Sequence, residues 1–211
     1  MTERASARVI AMRQLLNYIA PGAPATRRPA AGGEPFLRPE IGLTVSWYHR
    51  RLGLDFGERW HRDPAYRRDC LAAMTRELRR SFPGVPVGGP LEPDKPPDLL
   101  TGVYGGNFVA ALYGVPLVYA PDNWPATEHR YLSDEQADRL NPPDLDRSPV
   151  FAELMEQVDW IERENGAVEG FVNWQGVLNN AFRLRGEKIF ADMALEPQRA
   201  LHVFECVAAT M

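Results

Sequence analysis

Cysteine is scarce in this chain: only Cys70 and Cys206 occur in 211 residues. Both fall on apolar stripes of expected helices, where a free thiol packs as a small hydrophobe. No Cys-x-x-Cys or paired His/Cys spacing is present, and His49, His61, His129 and His202 lie far apart. The missing paired spacing gives no metal ligand set within these residues, and the scattered histidines neither make nor exclude one. Long apolar runs are missing too. None reaches the roughly 18 residues that mark a transmembrane helix, and the N-terminus MTERASARVIAMRQ carries charges where a secretory signal needs an apolar core. A cytoplasmic protein with no membrane partner is the expectation. Basic charge is not in excess either: 24 Lys and Arg against 28 Asp and Glu leave a net charge of −4. Nothing in that balance draws the chain to nucleic acid. Phosphate-binding glycine patterns are also absent, because Gly105-Gly106 fits neither G-x-G-x-x-G nor a Walker loop.

What is present is an ordinary globular composition, 45% hydrophobic and 25% charged. Residues 4–19 place Val9, Met12, Leu16 and Ile19 on one face of a helix. Residues 21–39 are rich in proline and glycine and form an arm, so 1–35 is set apart from 36–211. A strand is expected over 42–47. It leads into a dense mixture of Trp47, Tyr48, His49, Arg50, Arg51, Asp55, Glu58, Arg59, Trp60 and His61, which suits either a site or a face of snorkelling arginines. Asp63-Pro64 starts a helix with the stripe Leu71, Met74, Leu78 and Phe82, ended by Pro83-Gly84. Residues 83–98 form a connecting loop. Next come a Gly-rich turn, a short helix and a strand over 115–119, and then the turn Asp122-Asn123-Trp124-Pro125, with Glu128 and His129 behind it.

Ser133 and Gln136 form a capping box, and Ser148-Pro149 opens a helix with the stripe Phe151, Leu154, Val158 and Ile161, stopped by Gly166. Its acidic residues Glu153, Glu156, Glu162 and Glu164 form a solvated face. The chain is organised around 168–186, VEGFVNWQGVLNNAFRLRG: a short strand delivers its C-terminal end to Asn173-Trp174-Gln175-Gly176, and helical spacing resumes through Val177, Ala181 and Leu184. In α/β folds ligands bind at such strand ends. Two helices divided at Pro197 close the chain, the last with Leu201, Phe204, Ala208 and Met211 on one face and no end signal, as in a longer domain cut at Met211.

Alternating helical and strand patterns argue for an α/β fold with parallel strands. A (β/α)8 barrel needs about 250 residues, so three or four units of one are present. The blocks FVAALYGVPLVYAPDNWP, LSDEQADRLNPPDLDRSPVFAELMEQVDWIERENG, VEGFVNWQGVLNNAFRLRG and KIFADMALEPQRALHVFECVAATM, in this order, resemble the uroporphyrinogen decarboxylase superfamily over 98–211. The resemblance implies a (β/α)8 TIM barrel, here its incomplete first half. It implies a small-molecule substrate: a tetrapyrrole or related carboxylated compound that is decarboxylated or, in the methyltransferase branch, a corrinoid-linked methyl donor. A homodimer is the candidate assembly. In that branch zinc is held by a His-x-Cys pair and a distant Cys, which would lie beyond Met211; no cofactor is expected within this chain. In FLRPEIG, Arg38 is the counterpart of the arginines that meet substrate carboxylates, and no aspartate stands over 104–107, where the decarboxylases carry one. A truncated barrel without catalysis is the reading of a different class. The residues expected to line the pocket are Arg38, Asn107, Asp122, Asn123, Trp124, His129, Asn173, Trp174 and Gln175. Trp124 and Trp174 would pack on a flat ligand and the amides would orient it.

Overall fold

Helix boundaries obey the caps written in the sequence. The structure, a computed structural model, describes residues 42–83 and 96–211. The expected N-terminal helix, the arm and Arg38 lie outside them. Helix α1 (Val45–Leu52) ends at Gly53, whose φ of 69° suits the left-handed cap. Helices α2 (Glu58–Arg62) and α3 (Pro64–Ser81) meet at Asp63, whose carboxylate accepts from the Tyr66 N–H at 3.0 Å while Pro64 occupies the first helical position. A 3-10 turn over Val103–Gly106 leads to α4 (Phe108–Leu112). Strands β1 (Leu117–Ala120) and β2 (Asn123–Thr127) come next, then α5 (Asp134–Asp138), α6 (Pro149–Asn165), α7 (Val177–Arg185), α8 (Lys188–Leu195) and α9 (Pro197–Thr210). The expected devices are in place: the Ser133/Gln136 capping box, Ser148 capping α6 beside Pro149, and Gly166 ending α6 at φ 74°.

The chain is mixed α/β, with helices dominating and one two-stranded sheet among the described residues. That sheet is antiparallel, pairing Leu117 with Thr127 and Val118 with Ala126. For the strand expected over 115–119, whose partner is antiparallel, the expectation of parallel pairing is corrected. Asp122-Asn123 turns the chain straight back into a second strand. The register slips between Val118 and Ala120, opposite the stretch that contains Pro125, which has no N–H to give to a ladder. The strand expected over 42–47 is also corrected, because Val45 and Tyr48 are spaced to bury one helical face. Nor do residues 168–172 form a strand. Gly170 sits there at φ 94°, and a Cβ on it would collide with the Asp98 carboxylate.

The core lies in two regions. In the N-terminal region α1, α2 and α3 enclose Val45, Tyr48, Phe56, Trp60 and Cys70. This adjoins a cluster of Leu99, Val103, Tyr104 and Phe108 with Leu154, Val158 and Ile161 from α6. In the C-terminal region α4, α5, α7 and α9 bury Val109, Ala137, Ala181, Leu184, Ala200, Val203 and Val207. Each valine, leucine or isoleucine among these contributes about 1.5–3 kcal/mol when fully buried. The buried stripe of α9 is turned from the expected one: Leu201 and Ala208 are exposed, while Phe204 and Met211 are partly buried. Cys70 and Cys206 are free and buried. No helix of the described residues is long and apolar enough to cross a membrane.

Candidate functional site

Four of the expected site residues converge on the turn Gly102–Asn107. Gly102, Gly105 and Gly106 all have positive φ, and so does Tyr104 at 58°, a conformation that strains a bulky side chain. The glycines permit close approach. A Cβ on Gly105 would stand 2.8 Å from Pro125 Cδ, and one on Gly102 would stand 3.1 Å from the Trp124 ring. Asn107, at the end of the turn, is buried; its Nδ2 donates to the Pro125 carbonyl at 2.7 Å, and its backbone forms an antiparallel bridge with Trp174. Asn107 Oδ1 has no hydrogen-bond partner among the described residues. Gln175 lies against Gly106, and its carbonyl accepts from Asn180 Nδ2 at 2.6 Å. Two indoles that border this turn reach solvent: Trp124, at 42% exposure and edge-on to Trp60 at 5.7 Å, and Trp174, at 55% exposure.

The other expected residues are placed differently. Asp122 is exposed in the hairpin turn, and Asn123 uses its Oδ1 to accept from the Trp124 N–H at 2.9 Å. Asn173 is half-buried beside Trp174. His129 stacks on Tyr131 at 5.8 Å and lines a cavity of about 730 Å³ with Phe182 and Lys188. That cavity contains none of the indole and amide residues. Arg38 lies outside the described residues.

Side chains from three other elements support the strained turn. His61, fully buried, accepts the Tyr104 backbone N–H on Nδ1 at 3.0 Å, so the ring proton sits on Nε2. Burial, and after it the nearby Arg67 guanidinium, pushes the imidazole down to about 3; the Phe56 carbonyl opposes this weakly. The ring is therefore neutral at pH 7. Tyr104 OH donates to Glu153 Oε1 at 3.1 Å and accepts from Gln157 Nε2 at 3.2 Å. Gln157 Oε1 in turn accepts from Arg67 Nη2 at 2.9 Å. Burial, with Glu153 beside it, pushes the Tyr104 hydroxyl well above its usual range, so it stays a donor.

His61 belongs to a segment whose mixed composition stands out in the sequence. Arg67, Tyr104 and Gln157 give no signal of their own, since an arginine or glutamine in an amphipathic helix reads as a solvent-facing residue. Glu153 corrects one expectation: Glu156, Glu162 and Glu164 do form an exposed face, but Glu153 turns inward to Tyr104 and Arg62.

Such a surface can hold a flat ligand against two indoles and fix its edge by amide hydrogen bonds. Among the described residues no group of three or more His, Cys, Asp or Glu side chains is placed to hold a metal ion. Comparison with protein-family models, with curated proteins and with solved structures finds no match to this chain.

Proposed function

We propose that this chain is uroporphyrinogen-decarboxylase-like and that its indole and amide face binds a flat carboxylated small molecule such as a tetrapyrrole for decarboxylation. The ordered sequence blocks over 98–211 support the family reading. The observation that carries the binding reading is the Asn107–Trp174 bridge. It joins a glycine turn and an amide turn far apart in sequence, each bordered by a half-exposed indole. Trp124 and Trp174 stack on the ligand, Gln175 and Asn173 orient it, and Arg38, by the resemblance, pairs with a carboxylate. The neutral His61 and the Arg67 network hold the glycine turn in shape; they are positioning groups.

Uroporphyrin III titrated into the full chain should quench tryptophan emission saturably, and Trp174→Ala with Trp124→Ala should weaken binding at least about tenfold, the loss of two stacking contacts. Unchanged affinity in a folded double variant would remove this face from the site. Release of CO2 from a carboxylated tetrapyrrole would support the decarboxylase branch. Zinc-dependent methyl transfer from methylcobalamin to a thiol would move the protein to the other branch of the superfamily.

A further inference from the structure

A second cavity, of about 380 Å³, shares no residue with the indole and amide face. Its lining combines the apolar Val115, Leu117 and Val150 with the charged Glu58, Arg62 and Glu153 and the rings of Tyr104 and Tyr119. Arg62 reaches both acids, Nη1 to Glu58 Oε1 at 3.1 Å and Nε to Glu153 Oε1 at 3.3 Å. Two carboxylates thus share one guanidinium, and the lining keeps a net negative charge. Glu153 is fixed from behind by the hydroxyl of Tyr104, a residue only 2% exposed and seated on the turn that His61 holds. Arg62 itself is half exposed, and beside the two acids it meets the Tyr119 hydroxyl.

From this we infer that the cavity is a binding site for a small organic cation, an ammonium with a short hydrocarbon body. Arg62 is the protein's own occupant of the same position: its guanidinium already sits where the acids converge. A ligand ammonium takes over the carboxylates, while its hydrocarbon covers Val115, Leu117 and Val150. An anion is disfavoured because it would meet two acids, with a single arginine already committed to them. The cation site stands apart from the tetrapyrrole reading, since neither Trp124 nor Trp174 lines this cavity.

The test uses n-butylammonium as probe, with butanoate and butanol as controls, monitored by NMR shift changes at fixed ionic strength. Saturable binding of n-butylammonium alone is expected. Glu153→Gln and the more exposed Glu58→Gln should each weaken it about tenfold, the worth of a charge-assisted hydrogen bond. Val150→Trp, which fills the cavity, should abolish it. Arg62→Gln should tighten binding, because the competing internal cation is gone. Absence of binding, preferential binding of butanoate, weakening by Arg62→Gln, or indifference to both Glu→Gln changes would each overturn the inference.

Discussion

Two buried arginines, one in each region of the core, are held in opposite ways. Arg67 is 0% exposed and donates to the Leu99 carbonyl at 2.7 Å, the Trp60 carbonyl at 2.6 Å and Gln157 Oε1 at 2.9 Å. These partners are neutral, and burial pushes the guanidinium down to about 10. Arg185 is 1% exposed and donates to Asp192 at 2.7 Å, to Asp134 at 2.5 Å and to the Leu132 carbonyl at 2.7 Å. Its hydrogen bond to Asp192 above all holds its pKa above the usual range. Arg199 extends the network to Asp138 at 2.7 Å and to Asp192 at 3.5 Å. The same side chain can therefore be buried on dipoles or on counter-ions. The choice sets what happens when it is removed: dipoles are left unsatisfied, whereas a carboxylate is left charged.

Arg185→Met puts this contrast under the greatest strain. It leaves the buried Asp192 carboxylate facing only Arg199 and should cost about 3–5 kcal/mol in urea unfolding. Adding Asp192→Leu should restore most of that loss; if it restores none, the pair is not what holds α7 to α8. Arg67→Met should cost less, about 2–3 kcal/mol, because it leaves only neutral acceptors without a donor. A larger loss than in Arg185→Met would reverse the ranking of the two sites.

Acid separates the two regions further. His61 is neutral in the fold, whereas the unfolded chain binds a proton there below about pH 6.5. Stability should therefore fall as the pH drops from 6.5 toward 3, by at most about 1.4 kcal/mol per pH unit. In His61→Asn, which keeps an acceptor near the Nδ1 position, melts between pH 6.5 and 4.5 should lose this slope. Asp134 and Asp138 behave otherwise. Arg185 and Arg199 respectively hold them below the usual carboxylate range. Their contribution is present above about pH 4 and lost only below it.

What the sequence made legible was local. Asp63-Pro64, Ser133 with Gln136, Ser148-Pro149 and Gly166 each act within four residues, and each does in the fold what its chemistry suggests. The stripe of α6 is legible for the same reason. Pairing is not. A short run such as 115–119 carries no sign of whether its neighbour is parallel or turns straight back, and the apolar residues of 42–47 fit extended and helical spacing alike. Of the residues expected to line a pocket, Asn107, Trp124, Trp174 and Gln175 border one glycine turn, and amides and indoles in glycine turns are conspicuous in a sequence. The supports behind them leave no such mark. Arg67 and Gln157 are 90 positions apart, and no local pattern reports a partner at that separation.

The turn at Tyr104 also bears on the order of folding. Its strained backbone is held by His61, 43 positions earlier, and its hydroxyl by Glu153, 49 positions later. Neither tie exists in a chain whose distant segments have not met. The turn is therefore expected to form after α2 and α6 have come together, and damage to it should then speed unfolding far more than it slows folding, which the two arms of a chevron plot would check. The surface that gathers the indoles is, by this logic, among the last parts of the molecule to be assembled.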